Sequence, residues 1–202
     1  EIELGYARAI AVRRTYMGEL GWEFYLPTEF SLGVFDHLWE SGQPKGLVLA
    51  GYHAMNSLRM EKAYRHWGDD IADEATPLEA GLSWGVNWDK PHGFLGREAL
   101  LAQKETGVTR RLVQFRLDDP EPLLYHNEPV YKDGVLAGRI TSGMYGHTVG
   151  AALGMAYINH PIDMARSEVI NGVFEIEVNG QRISATPSYR AFYDPDSNQV
   201  KL

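Results

Sequence analysis

The chain has 202 residues, a formal net charge of −8, a 44% hydrophobic fraction and no Cys. That length holds a sizeable core in one large domain or two small ones, with the apolar content of an ordinary globular protein. An acidic balance without a basic block argues against a nucleic-acid partner, the lack of a long apolar run argues against a membrane span, and the lack of Cys excludes disulfides and thiolate metal sites.

The sequence begins at Glu1, without an initiator Met, and reads as a piece of a longer polypeptide whose targeting segment, if any, lies outside it. A strand is expected over Ala7 to Arg14, with Ile10 and Val12 on one face. Gly18 and Gly21 then bracket a short acidic turn. Trp22, Phe24 and Leu26 alternate with Glu23 and Tyr25, the pattern of a half-buried strand. With the first set toward a core, Glu23 and Tyr25 face a cleft or solvent, and the hairpin returns Tyr16 near Glu23. A carboxylate framed by aromatic rings suits a flat, nitrogen-rich ring. A plain hairpin with a solvated Glu satisfies the same pattern.

Thr28 is placed to cap a helix carrying Leu32, Phe35, Leu38 and Trp39, which Gly42 ends. The apolar run Gly46 to Ala50 precedes a second helix through Ala54, Leu58 and Glu61, stopping by Gly68. Helices alternating with strands predict an α/β sandwich. Thr76-Pro77-Leu78-Glu79 combines a capping box with Pro at the first helical position, and Gly81 limits it to one turn. Trp84, Val86 and Trp88 read as a strand, residues 89–93 as a loop, and Gly96 to Gly107 as a helix carrying Ala99, Leu100 and Ala102.

From Thr109 the texture becomes that of short strands, with Val113, Phe115 and Leu117 alternating and hairpin signals at Asp133-Gly134 and Asn179-Gly180. Such spacing predicts an antiparallel β-barrel or sandwich. The domain boundary is expected between residues 91 and 108, giving domains 1–92 and 93–202.

Other clusters have plain readings. Glu61 and Arg65 read as an ordinary pair at an exposed helix end, and Asp69, Asp70, Asp73 and Glu74 as an exposed acidic loop. His53, His66 and His92 lack zinc-site spacing, so no metal site is expected. Gly143 to Gly150 is neither a dinucleotide nor a phosphate-loop fingerprint and reads as a barrel loop.

Several stretches together resemble one family. Tyr16-x-Gly18-Glu19-x-Gly21-x-Glu23 looks like the folate hairpin of the glycine-cleavage T-proteins, or aminomethyltransferases. The run Glu61-Lys62-Ala63-Tyr64-Arg65-His66-Trp67-Gly68 and the stretch Thr76 to Leu82 are closer to the folate-binding part of sarcosine and dimethylglycine dehydrogenases. Phe94 to Leu100 and Tyr193-Asp194-Pro195 extend the similarity almost to the end. Where T-proteins carry a folate-contacting Arg, this chain has Met55, which favours the dehydrogenase branch.

The resemblance implies an α+β fold: a truncated, ferredoxin-like α/β sandwich portion of the T-protein fold over 1–92, then a C-terminal antiparallel β-barrel over 93–202. It implies tetrahydrofolate as cofactor, with Tyr16, Glu23, Phe24, Tyr25, Trp84 and Tyr193 at its contact positions. In that family an upstream domain with FAD oxidises an N-methyl amine, and tetrahydrofolate captures the iminium carbon, a reaction that gains from proximity and from excluding water. The family's catalytic Asp lies upstream of the aligned region, so no catalytic residue is assigned here and the isolated chain is expected to be inactive. Alternatives are a stand-alone aminomethyltransferase acting on a lipoyl-carried group and a non-catalytic folate-binding or structural module. The compartment is expected to be the cytoplasm in a bacterium or the mitochondrial matrix in a eukaryote.

Overall fold

The computed structural model describes residues 1–201. They form two compact units, Glu1–Arg59 with the segment from Asp196, and Met60–Pro195.

The first unit has a three-stranded antiparallel sheet in the order β1 (Ile2–Leu4), β2 (Ala7–Arg13), β3 (Trp22–Tyr25). In the β2–β3 register Arg13 faces Trp22 and Ala11 faces Phe24, while Val12 faces Glu23 and Ile10 faces Tyr25. Strand alternation therefore puts Ala7, Ala9, Phe24 and Trp22 on one face and Ile10, Val12, Glu23 and Tyr25 on the other. Ala7 and Ala9 are buried. Helix α1 (Ser31–Gly42) follows a short 3₁₀ turn over Thr28–Phe30, and its buried residue is Val34. Thr28 makes no side-chain cap; its carbonyl instead accepts the Ser31 hydroxyl at 2.7 Å. α1 ends at Gly42, where an added Cβ would lie 2.6 Å from Leu47. Helix α2 spans Tyr52–Glu61.

Trp22 and Phe24 do not face a core. They are 55% and 38% exposed. The reason lies in the sheet: β3 is an edge strand, and burial on the shared face is confined to the small side chains Ala7 and Ala9 at its other end.

In the second unit, Thr76 and Glu79 make the expected reciprocal cap, the Thr76 amide donating to the Glu79 carboxylate at 3.1 Å and the Glu79 amide to the Thr76 hydroxyl at 3.3 Å. Gly81, at φ +69°, ends the turn. The strand expected through Trp84, Val86 and Trp88 is instead a 3₁₀ turn at Ser83–Gly85 and irregular chain. Its amides are spent locally, Gly85 donating to the Leu82 carbonyl and Val86 to that of Ser83, which leaves the ladder bonds of a strand unmade. Helix α3 (Arg97–Thr106) runs between Gly96 and Gly107 as expected.

The remainder is a closed antiparallel barrel of β4 (Arg110–Leu117), β5 (Pro129–Lys132), β6 (Val135–Gly146), β7 (Ala151–Asn159), β8 (Phe174–Val178) and β9 (Gln181–Ser188), in the order β4-β7-β6-β5-β8-β9. A short helix α4 (Arg166–Val169) lies between β7 and β8 in the chain. Closure removes free sheet edges. Val113, Phe115 and Leu117 point into the core with Val130, Ile140, Ile158, Phe174 and Ile176. The opposite face of β4 is also covered: Leu112 packs with Met60, Leu153 and Met155, and Gln114 donates to the Met60 carbonyl at 2.5 Å. Both two-residue hairpins form with two consecutive positive φ values, 51° and 81° at Asp133-Gly134 and 51° and 76° at Asn179-Gly180. These are type I′ turns, whose twist matches that of the strands.

Candidate functional site

The hairpin face carrying Glu23 is built by alternation. The Arg14 amide donates to the Gly21 carbonyl at 3.2 Å, extending the β2–β3 ladder and keeping Arg14 on the same face as Val12, Glu23 and Tyr25. The Tyr25 hydroxyl donates to Glu23 Oε2 at 2.6 Å, and an Arg14 Nη1 lies 3.5 Å from the same oxygen. Among the described residues nothing engages Oε1. Glu23 is half-buried and Tyr25 is 50% exposed. The hydrogen bond and the negative charge of Glu23 raise the Tyr25 pKa, so its hydroxyl stays protonated as a donor. Thr15 ties the turn by accepting from the Met17 and Gly18 amides at 3.2 and 3.0 Å. Tyr16, half-buried, immediately precedes it, and Phe24 is on the face opposite Glu23.

Trp84 and Tyr193 belong to the other unit. Trp84 is 83% exposed and lines a cavity of about 420 Å³ with Arg65, Arg111, Arg166 and Tyr189. Tyr193 is half-buried, its amide donating to the Glu61 carbonyl at 3.2 Å and its ring 5.9 Å from Lys62 Nζ.

A buried polar framework in this second unit went unread in the sequence. Asp70 is 1% exposed and accepts from the Thr141 hydroxyl at 2.5 Å, the Ser142 hydroxyl at 2.6 Å and the His66 amide at 2.9 Å. It is thus the tether of its loop to β6, not a solvated loop charge. Glu61, also 1% exposed, accepts from the Thr148 and Val149 amides at 2.6 and 3.0 Å. An added Cβ at Gly146 would come within 3.1 Å of Glu61, so the glycine makes room for that carboxylate. Arg65 turns away from Glu61 and donates to the Ala63 and Ala80 carbonyls. Lys62 reaches Asp194 at 3.0 Å, with side chains 1% and 9% exposed. The partners come from distant segments: backbone amides for Glu61 Oε1, the Thr141 and Ser142 hydroxyls for Asp70 and the Asp194 carboxylate for Lys62, a pairing that i,i+4 spacing does not encode. The one available signal was the density of charged residues beside apolar Met60 and Ala63.

Residues 1–90 match the family description "GCVT N-terminal domain", and residues 110–194 match "Glycine cleavage T-protein C-terminal barrel domain". The chain is 44% identical over 201 residues to a 4-methylaminobutanoate oxidase (formaldehyde-forming) of Paenarthrobacter nicotinovorans, covering all of this chain and 23% of that protein. It is 38% identical to the mitochondrial pyruvate dehydrogenase phosphatase regulatory subunit of Mus musculus, covering 92% of this chain and 22% of that protein. Identity to the human mitochondrial dimethylglycine dehydrogenase is 40%, over 87% of this chain and 20% of that protein. The chain thus spans about a fifth to a quarter of the length of these relatives. The glycine cleavage aminomethyltransferase of Bartonella henselae shares the fold at a TM-score of 0.79 and 24% identity, over 92% of this chain and 50% of that one. With both matches in place and dehydrogenases of this branch among its relatives, the chain belongs to the glycine-cleavage T-protein family.

Proposed function

We propose that this chain is the tetrahydrofolate-binding region of an FAD-dependent dehydrogenase or oxidase acting on a small N-methyl amine, and that the one-carbon unit released there passes to the bound folate. The observation that carries the reading is the Glu23 carboxylate: both of its contacts fall on Oε2, leaving Oε1 to accept a second hydrogen bond. A pterin presents an N–H and an amino group side by side, and a carboxylate is the acceptor-only group that meets such an edge. Tyr25 fixes the carboxylate's orientation, while Tyr16, at the turn, and Phe24, on the opposite strand face, are proposed as contacts from the family resemblance alone. Trp84, within the portion 1–92 proposed as folate-binding, and Tyr193, within the proposed domain 93–202, are candidates from the family resemblance, both lying in the second unit. In this reading FAD and the oxidation chemistry belong to sequence outside this chain, and the residues here bind, orient and shield the folate.

Calorimetric titration of tetrahydrofolate into the chain, beside Glu23→Ala, tests this. Saturable binding that the variant weakens about tenfold or more is expected. Equal binding by both proteins contradicts the role of Glu23, and binding by neither contradicts a folate site in this chain.

A second reading, a family member that keeps the scaffold without catalysis, is favoured by the 38% identity to a regulatory subunit. An Asp at the family's catalytic position in the upstream sequence would decide against it.

A further inference from the structure

We propose that the cavity beside Trp84 is a binding site for a carboxylate-bearing anion with more than one negative charge. Its walls bring together three guanidinium groups from separate parts of the second unit: Arg65 after α2, Arg111 on β4 and Arg166 on α4. Tyr189, just after β9, closes the floor with its ring 4.4 Å from the Arg166 guanidinium.

Two donors in this wall are buried without partners among the described residues, Arg111 Nε and the Tyr189 hydroxyl. A buried donor left unmade is costly, so two at one cavity favour an acceptor that enters it. The carboxylate in the wall does not supply it. Glu79 is engaged by the Thr76 amide and, at 3.2 Å, by Arg110, a fourth guanidinium outside the cavity lining. The local balance therefore stays positive although the whole chain carries −8.

The electrostatics agree. Burial lowers the Arg65 pKa; Asp70 and Tyr157 oppose that shift, and Arg166 adds a smaller lowering that an anion would relieve. Burial raises the Tyr189 pKa, keeping the hydroxyl a donor. Arg65 is held by the Ala63 and Ala80 carbonyls at 2.9 to 3.2 Å, which fixes its position in advance of binding. Planar guanidiniums match carboxylates in pairs of parallel hydrogen bonds. Exposed Trp84 adds an apolar rim for the carbon skeleton between carboxylates.

Two sources offer this chemistry: a γ-linked glutamate tail on a folate, which alone rests on the function proposed above, or a free polycarboxylate. Titrating the full chain with γ-linked triglutamate and with citrate, at about 20 mM ionic strength where screening is weak, distinguishes them. We expect saturable binding of at least one, weakened about tenfold by Arg111→Gln and severalfold by Tyr189→Phe. Arg8→Gln, at an exposed ion pair with Glu1 in the other unit, leaves it unchanged. Glu23→Ala also leaves it unchanged, which separates this site from the pterin reading. Tighter binding of triglutamate assigns the tail, and equal or tighter binding of citrate assigns a free acid. Absence of saturable binding by either anion overturns the proposal, as does equal affinity in Arg111→Gln and Tyr189→Phe variants that melt like the parent.

Discussion

The two units solve the burial problem differently. In the barrel unit, Phe115, Leu117, Ile140, Ile158 and Ile176 are at most 1% exposed, and closure of the sheet removes its edges. In the sheet unit, Trp22, Leu32, Phe35 and Leu49 are 47 to 71% exposed, and the buried sheet positions are Ala7 and Ala9. The barrel thus holds its stability in packing, whereas the sheet unit carries large apolar and aromatic side chains at its surface. The lesson is that closing a sheet buries its large side chains, whereas an open edge strand leaves them at the surface.

Truncations give the widest contrast. Phe115→Ala should cost about 3–5 kcal/mol in denaturant unfolding, and Trp22→Ala less than about 0.5 kcal/mol. Similar losses at both sites would break the distinction. Asp70→Ala strands the Ser142 hydroxyl and the His66 amide, the Thr141 hydroxyl keeping the Met155 carbonyl at 3.1 Å, and should cost about 3 kcal/mol, where Asp73→Ala, exposed in the same loop, should cost next to nothing. A conservative loss at Asp70 would mean that the loop's tether to β6 is unimportant. Gly134→Ala forces φ 81° on a residue with a Cβ and should cost about 1–2 kcal/mol by the same assay.

The smallest expected effect is one of pH. Burial raises the Tyr157 pKa to about 12, and its hydroxyl donates to the Asp70 carbonyl at 2.9 Å. The folded chain then holds this proton where the unfolded chain, titrating near 10, has released it. Its stabilising effect is complete below pH 10 and is lost as pH rises toward 12. Melting temperatures of the parent should fall over that window more steeply than those of Tyr157→Phe; parallel profiles would contradict the assignment.

The sequence was most legible where the physics is local. The Asp133-Gly134 and Asn179-Gly180 turns, the Thr76–Glu79 cap and the Val113, Phe115, Leu117 alternation depend on neighbours two to four residues away, and all formed. Trp84, Val86 and Trp88 also alternate, yet alternation needs a partner strand, and the local 3₁₀ bonds took the amides first. Trp22 and Phe24 formed a strand as read, but which face is covered depends on what packs there, and at that end of the sheet burial did not follow. Of the candidate site, Glu23 and Tyr25 came together because they are two apart on one strand face. The buried roles of Glu61, Lys62 and Asp70 rest on partners 71 to 132 residues away, which no local pattern announces.

The most direct measurement is hydrogen–deuterium exchange of the chain with and without tetrahydrofolate. Binding at the hairpin predicts slower exchange of the amides across residues 13–26, and loss of that protection in Glu23→Ala. Protection confined to barrel amides, with the hairpin unchanged, would contradict the account.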